Sequence, residues 1–163
     1  MTELTIIGGG LAGCEAAWQT ARRGIKVLLY EMRPAVQTPA HKTGLLAELV
    51  CSNSMGSNQR NRPAGLLQAE LRQLNSLILQ CAIDSALPAG GSLAVDRDRF
   101  TLLVTDRLGN SPNVTIIRSE VTIIPDVPTI IATGPLTSSG MAAEIARLTG
   151  SEPRCCRVVP CGP

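Results

Sequence analysis

The chain is organised around Gly8-Gly9-Gly10-Leu11-Ala12-Gly13, because glycines at this spacing leave few folds open. The apolar run Leu4-Thr5-Ile6-Ile7 leads into it, and Cys14 to Arg23 follows without Pro or Gly. The pattern predicts strand, tight turn and helix. Gly8, Gly10 and Gly13 form a G-x-G-x-x-G fingerprint in which each glycine has a physical task. Gly8 lets the chain turn sharply off the strand. Gly10 admits a pyrophosphate where a Cβ would intrude, and Gly13 lets the helix lie close on the sheet. Amides at the helix start then face the phosphates, helped by the positive end of the helix dipole.

The surroundings strengthen this expectation. Ala17 and Ala21 follow Gly13 at four-residue steps, giving one small-residue face suited to close packing on a sheet. Arg22 and Arg23 suit the last helical turn, and Gly24 is a helix stop. Lys26-Val27-Leu28-Leu29-Tyr30 reads as a second strand, with Glu31 at its end. That acid stands about 20 residues past the glycines, where a carboxylate accepts hydrogen bonds from a ribose. The bland alternative is a glycine turn in a β-α-β unit with no ligand. Strand, helix, second strand and acid in sequence favour a dinucleotide site.

At 163 residues the chain suffices for one domain with a substantial core. Its net charge of +2 gives no overall polyanion-binding signal, although a local basic patch would suffice for nucleic acid. No apolar run reaches the roughly 18 residues of a membrane span, and the N-terminus lacks a signal-peptide pattern. A cytoplasmic, reducing setting is expected, with the six cysteines as thiols.

Past Glu31, Met32 to Thr43 reads as loop, Leu45 to Val50 as a short helix or strand, and Cys51 to Asn58 as a loop of small polar residues. Leu67, Leu71, Leu74 and Ile78 predict a single amphipathic helix from Leu66 to Ile83. Pro88 to Gly91 is a turn, Ser92 to Val95 a strand, and Asp96 a cap for a helix from Arg97 to Leu108. Asn113 to Ile117 and Val121 to Ile124 are β-rich, and Pro128 to Gly134 reads as a buried strand ending in a glycine turn. Met141 to Leu148 closes the regular part as a helix. Alternating strands and helices argue for a parallel α/β sheet. The insertion before Val114 exceeds a minimal crossover, and such insertions commonly carry substrate-facing parts.

Several stretches now combine: Gly8 to Gly13, Tyr30-Glu31-Met32-Arg33-Pro34 and Gln37-Thr38-Pro39-Ala40-His41. To these are added Leu49-Val50-Cys51-Ser52-Asn53-Ser54, Ala94-Val95-Asp96-Arg97 and Ile130-Ile131-Ala132-Thr133-Gly134-Pro135-Leu136-Thr137. Together they resemble the N-terminal part of the folate- and FAD-dependent tRNA (uracil-5-)-methyltransferases, the TrmFO family, from about Leu4 to Gly150. The flavoprotein family that modifies the wobble uridine of tRNA (MnmG) shares the FAD-binding architecture but not the Glu-Met-Arg-Pro or Val-Cys-Ser-Asn-Ser stretches.

The resemblance implies a Rossmann-like, doubly wound FAD-binding domain of glutathione-reductase type over residues 1–150, incomplete within this chain. A substrate-facing insertion would occupy about 34–95. It implies methylenetetrahydrofolate as one-carbon donor, reduced FAD, electrons from NAD(P)H, and methylation at C5 of the T-loop uridine of tRNA. By the same resemblance, the FAD contacts comprise Gly8, Gly9, Gly10, Leu11, Ala12, Gly13 and Glu31, with the backbone near Val121 approaching the adenine and Gly134 near the flavin side. Two cysteines are implicated in the chemistry of the family. One corresponds to Cys51; the second has no counterpart in these residues. The tail, 151–163, departs from the family and is expected to be a truncated or out-of-frame end. Its Cys155, Cys156 and Cys161 lack a fourth ligand, so no metal site is expected.

Read from the residues alone, Cys51 in its polar loop is an exposed thiol candidate. Cys14 lies near a helix start, where a dipole lowers a thiol pKa, but its place beside the glycines favours a packing role. Cys81 falls late in the amphipathic helix and reads as core. His41, the single histidine, reads as a loop residue near the substrate. Arg33, Lys42, Arg60 and Arg62 form a local basic excess that fits tRNA phosphates or, equally, a solvated loop face. Two other readings stand beside the methyltransferase: a non-catalytic remnant that at most binds a nucleotide, and an FAD- or NAD-dependent oxidoreductase of the MnmG kind.

Overall fold

Strand β1 (Glu3–Ile7) runs into the glycine turn, and helix α1 (Leu11–Ala21) leaves it. The structure, a computed structural model, describes residues 3–150. On α1 the small residues Gly13, Cys14, Ala17 and Ala21 are buried, so the helix lies close to the sheet. Strand β2 (Lys26–Tyr30) pairs parallel with β1, placing Leu4 beside Val27 and Ile6 beside Leu29.

Strand β6 (Val114–Ile117) adds parallel to β2, and β7 (Thr129–Ile131) adds parallel to the other side of β1. The order β6-β2-β1-β7 therefore reverses direction at β1. In a doubly wound sheet that reversal opens a crevice at the carboxyl ends of the strands. The glycine turn sits there because it follows the last residue of β1.

The insertion between β2 and β6 folds into its own unit. Strands β3 (Ser54–Ser57), β4 (Ala86–Leu87) and β5 (Ser92–Val95) make an antiparallel sheet in the order β3-β5-β4. Helices α2 (Pro63–Gln73), α3 (Leu77–Asp84) and α4 (Arg97–Gly109) complete it, and α5 (Ser139–Thr149) ends the described chain. Ile6, Cys14, Val27 and Leu29 share one core with Leu77, Cys81, Phe100, Val104 and Leu108. Each fully buried Ile, Leu, Val or Phe contributes about 1.5–3 kcal/mol, so this shared core joins insertion and sheet.

Several expectations are corrected. The single helix from Leu66 to Ile83 is two helices, broken at Asn75, whose φ of 53° is left-handed. Leu67 and Leu74, expected on the buried face, are 54% and 61% exposed, whereas Gly65 and Gln68 are buried. Gln68 turns inward because its side-chain amide donates to the Met55 and Ser57 carbonyls of β3. Leu45 to Val50 is neither helix nor strand but a loop, with Leu46 and Ala47 fully buried against the glycine turn. Ser54 to Ser57, read as loop, is a strand because β5 supplies its backbone partners. Val121 to Ile124 is not a strand, and β7 is an edge strand whose Ile130 and Ile131 are exposed. The tail 151–163 and its three cysteines lie outside the described residues.

Candidate functional site

The turn itself is fixed by contact. Gly8 has φ 109°, and a Cβ there would stand 2.6 Å from the carbonyl oxygen of Ala132, just past β7. A Cβ on Gly13 would overlap the Gly8 carbonyl oxygen. The space where Gly10 would carry a Cβ is open. Gly10 is also the N-cap of α1 and supplies no side-chain cap, so the first helical amides are left to an outside acceptor.

A cleft of about 270 Å³ opens over this turn. It is lined by Gly8, Gly9, Gly10, Leu11 and Ala12, by Glu31, and on the far side by Val121 and Gly134. Residues separated by more than a hundred positions in the sequence thus meet at one crevice. Gly13 lies beneath it, buried. Cys51 is exposed and does not line the cleft, although its neighbour Val50 does. Its carbonyl accepts from Arg97 Nη2 at 3.1 Å, and Asn53 Nδ2 donates to the Val95 carbonyl, so the small sheet anchors the Cys51 loop.

Under the cleft lies a buried ionic network. Glu31 Oε1 accepts from the Arg33 amide at 3.0 Å and from Arg33 Nε at 2.9 Å. Glu31 Oε2 accepts from the Gly9 amide at 3.0 Å and from Arg33 Nη2 at 3.1 Å. Arg33 Nη1 reaches Glu48 Oε2 at 3.0 Å, and Glu48 in turn takes the amides of Lys42 and Thr43 and the Thr43 hydroxyl. Burial acts to raise the Glu31 carboxyl, but the Arg33 hydrogen bonds and charge and the Gly9 amide outweigh it, holding it below the usual carboxylate range. Glu48 is likewise held low against burial by the Lys42 and Thr43 donors and Arg33.

Arg33 is therefore not part of an exposed basic face: it is 2% exposed and engaged by two carboxylates. Lys42, Arg60 and Arg62 are exposed, as a phosphate-facing or solvated group requires. Cys14 takes the packing role of the two expected for it, fully buried in the core. Burial and the Glu31 charge push its thiol far up, so the helix start does not activate it. Burial pushes the Cys81 thiol up to about 11, in keeping with its core position. His41 lines the cleft with Nδ1 2.6 Å from Thr38 Oγ1. Burial and the nearby Arg33 charge lower its pKa, so the ring is neutral at neutral pH.

Sequence reasoning missed Glu48, Leu46 and Ala47, and it misassigned Arg33. A signal existed for Arg33. Two residues apart just past a strand, Glu31 and Arg33 fall on one face of an extended chain. Nothing in the local pattern marks Glu48, whose partner lies fifteen positions away.

The sequence matches the family described as Glucose inhibited division protein A over residues 3–151. It is 57% identical over 150 residues to the methylenetetrahydrofolate--tRNA-(uracil-5-)-methyltransferase TrmFO of Anoxybacillus flavithermus, covering 92% of this chain and 35% of that protein. The TrmFO of Bacillus subtilis is 57% identical over 149 residues, covering 91% and 34%. That of Lactobacillus johnsonii is 58% identical over 150 residues, with the same coverage of 91% and 34%. The chain thus spans about a third of the length of these relatives. Solved structures are more distant: a Y270F mutant of MHPCO is 14% identical, with a TM-score of 0.46 over 77% of this chain and 34% of that one. With the glycine fingerprint, the reversed strand order and the family match over every described residue, this chain belongs to the glucose inhibited division protein A family and corresponds to the N-terminal region of its TrmFO relatives.

Proposed function

We propose that this chain forms the FAD-binding part of a methylenetetrahydrofolate- and FAD-dependent tRNA (uracil-5-)-methyltransferase. The observation that carries the reading is the glycine turn: Gly10 leaves open the space a pyrophosphate needs, at the uncapped start of α1. The names of the relatives, at 57% identity, supply the reaction. Gly8, Gly9, Gly10, Leu11, Ala12 and Gly13 would hold the pyrophosphate, with Glu31 beside the ribose, Val121 toward the adenine and Gly134 toward the flavin. When bound, the flavin supplies reducing equivalents and takes part in the one-carbon transfer. NAD(P)H is the electron source and the T-loop uridine of tRNA the acceptor in this reading.

The residues of the chain do the remaining work. Leu11 and Ala12 offer backbone amides to an anion. Neutral His41 contributes a polar atom to the wall without adding charge. Cys51 is assigned to covalent addition to the uracil ring or to removal of its C5 proton, with Ser52 and Asn53 beside it in sequence to hydrogen-bond nearby groups. Because Cys51 stands outside the cleft, the base would approach from the insertion side. The cytoplasm is the setting that fits these partners. No described helix is long and apolar enough to cross a membrane.

Titration of the purified chain with FAD tests the cofactor assignment. Quenching of flavin fluorescence that is competed by ADP is expected. Tight NAD binding with no flavin response would reject it.

A further inference from the structure

Gly9 is held from both sides. Its amide donates to Glu31 Oε2 at 3.0 Å, and its carbonyl accepts from the Ala47 amide at 2.8 Å and the Cys14 thiol at 3.3 Å. A trans peptide directs C=O and the following N–H to opposite sides. Fixing the Gly9 carbonyl toward Ala47 therefore turns the Gly10 N–H the opposite way, away from the core. Both holders trace back to one guanidinium. Arg33 grips Glu31 through Nε and Nη2, a two-point pair that fixes orientation as well as distance. Through Nη1 it grips Glu48, whose oxygens tie down Lys42 and Thr43 at the start of the segment that carries Ala47. Arg118 Nη1 adds a bond of 2.6 Å to the Gly44 carbonyl from the far side. Arg33 is the largest of the fully buried side chains among the described residues, so this grip is shielded from water.

We propose that Arg33 is the positioning residue of the cleft: acting through Glu31 and Glu48, it clamps the Gly9 peptide and so presets the Gly10 amide for an anionic ligand. The inference rests on reading the cleft as a pyrophosphate site. It also alters what Glu31 offers a nucleotide. Two donors already meet each of its oxygens, so a ribose hydroxyl reaching Glu31 shares an oxygen instead of filling an empty one.

The test compares the 163-residue chain with Arg33→Lys and Arg33→Met, by amide hydrogen exchange without ligand and by FAD titration. Lysine keeps the charge and loses the two-point grip. In a folded Arg33→Lys chain, with β1 and α1 amides protected as in the parent, the Gly9 amide is expected to exchange faster. FAD affinity is expected to fall about tenfold or more, the scale of a lost charged hydrogen bond. Arg33→Met leaves buried Glu31 and partly buried Glu48 without their cation; should it fail to fold, Arg33→Lys decides alone. Unchanged Gly9 exchange in folded Arg33→Lys overturns the clamp. Faster exchange with unchanged FAD affinity overturns the positioning role. Should the parent chain bind no FAD, the cofactor reading fails, and the exchange of Gly9 still decides whether Arg33 clamps it.

Discussion

A methyl group added at Gly13 and one added at Gly10 separate the fold from the ligand. Gly13→Ala drives a Cβ into the Gly8 carbonyl oxygen, a rigid backbone atom that cannot retreat. The expected cost is about 3 kcal/mol, as for an overpacked site, and urea denaturation measures it. Gly10→Ala meets open space and costs only about 1 kcal/mol, the preference of an N-cap for Gly over Ala. Its effect is expected in the flavin titration, where the methyl occupies the pyrophosphate position and weakens binding. Equal flavin affinity in Gly10→Ala would remove the pyrophosphate from this turn. The ionic network makes a second prediction at the same scale. Glu31 and Glu48 both have folded pKa values below the ordinary range. A carboxylate depressed on folding stabilises the protein above its unfolded pKa of about 4.3, and that contribution is lost as pH falls through the folded value. Melting temperature is thus expected to hold above about pH 5 and to drop on acidification below about pH 4. Glu48→Gln flattens that acid limb, since its pair with Arg33 no longer titrates; an unchanged limb would take Glu48 out of the network.

Helix α3 is short, eight residues, and depends on what is done at its first turn. Ser76 Oγ accepts from the Leu79 amide at 3.1 Å and donates to Glu15 Oε2, which also takes the Ile78 amide. Two otherwise unpaired amides are satisfied from two directions, one of them the α1 helix. Ser76→Ala removes the cap and leaves Glu15 with one donor fewer, an expected loss of about 1–2 kcal/mol in urea denaturation. A loss near zero would mean that Glu15 alone caps α3. The same junction shows what was legible in the sequence. The glycine turn, α1, β2, β5, α4 and β6 could be read because local rules coincide there: period, caps and breakers agree. Asn75-Ser76 carried a legible break and cap, but the leucine spacing ran straight across it. Periodicity reports that a face is apolar, not that something covers it; at Leu67 and Leu74 nothing described does. Ser54 to Ser57 became a strand through β5, some forty residues away, and Leu46 and Ala47 became core through the glycine turn. Of the cleft, the glycines and Glu31 followed from spacing. Val121 and Gly134 came from resemblance, and Arg33 and Glu48 needed the folded chain.

At the scale of the whole molecule the cysteines decide what the described residues can do. Methylation of uracil at C5 proceeds through addition of a nucleophile at C6, followed by removal of the C5 proton by a second group. The family resemblance assigns cysteines to this work, and the described chain contains Cys14, Cys51 and Cys81. Cys14 is fully buried with its thiol pushed far up by burial and by Glu31, and Cys81 is buried with its pKa at about 11. Neither forms a thiolate at neutral pH or reaches a base. Cys51 alone among them is exposed, and it stands beside the cleft instead of in it. Among the described residues that leaves one accessible thiol, which cannot both add to the ring and take its proton. By the resemblance the second cysteine of the family has no counterpart in these residues, so the 163-residue chain, supplied with FAD, a reductant, labelled methylenetetrahydrofolate and tRNA, is expected to leave no label in the T-loop uridine. Label appearing there would show that these 163 residues suffice and would remove the need for the second family cysteine. In a full-length relative with the same Val-Cys-Ser-Asn-Ser stretch, replacing the cysteine that matches Cys51 by alanine is expected to lower turnover about 10²–10⁴-fold with flavin still bound. Near-normal turnover in that variant returns Cys51 to the status of a loop thiol and leaves this part of the protein with the cofactor alone.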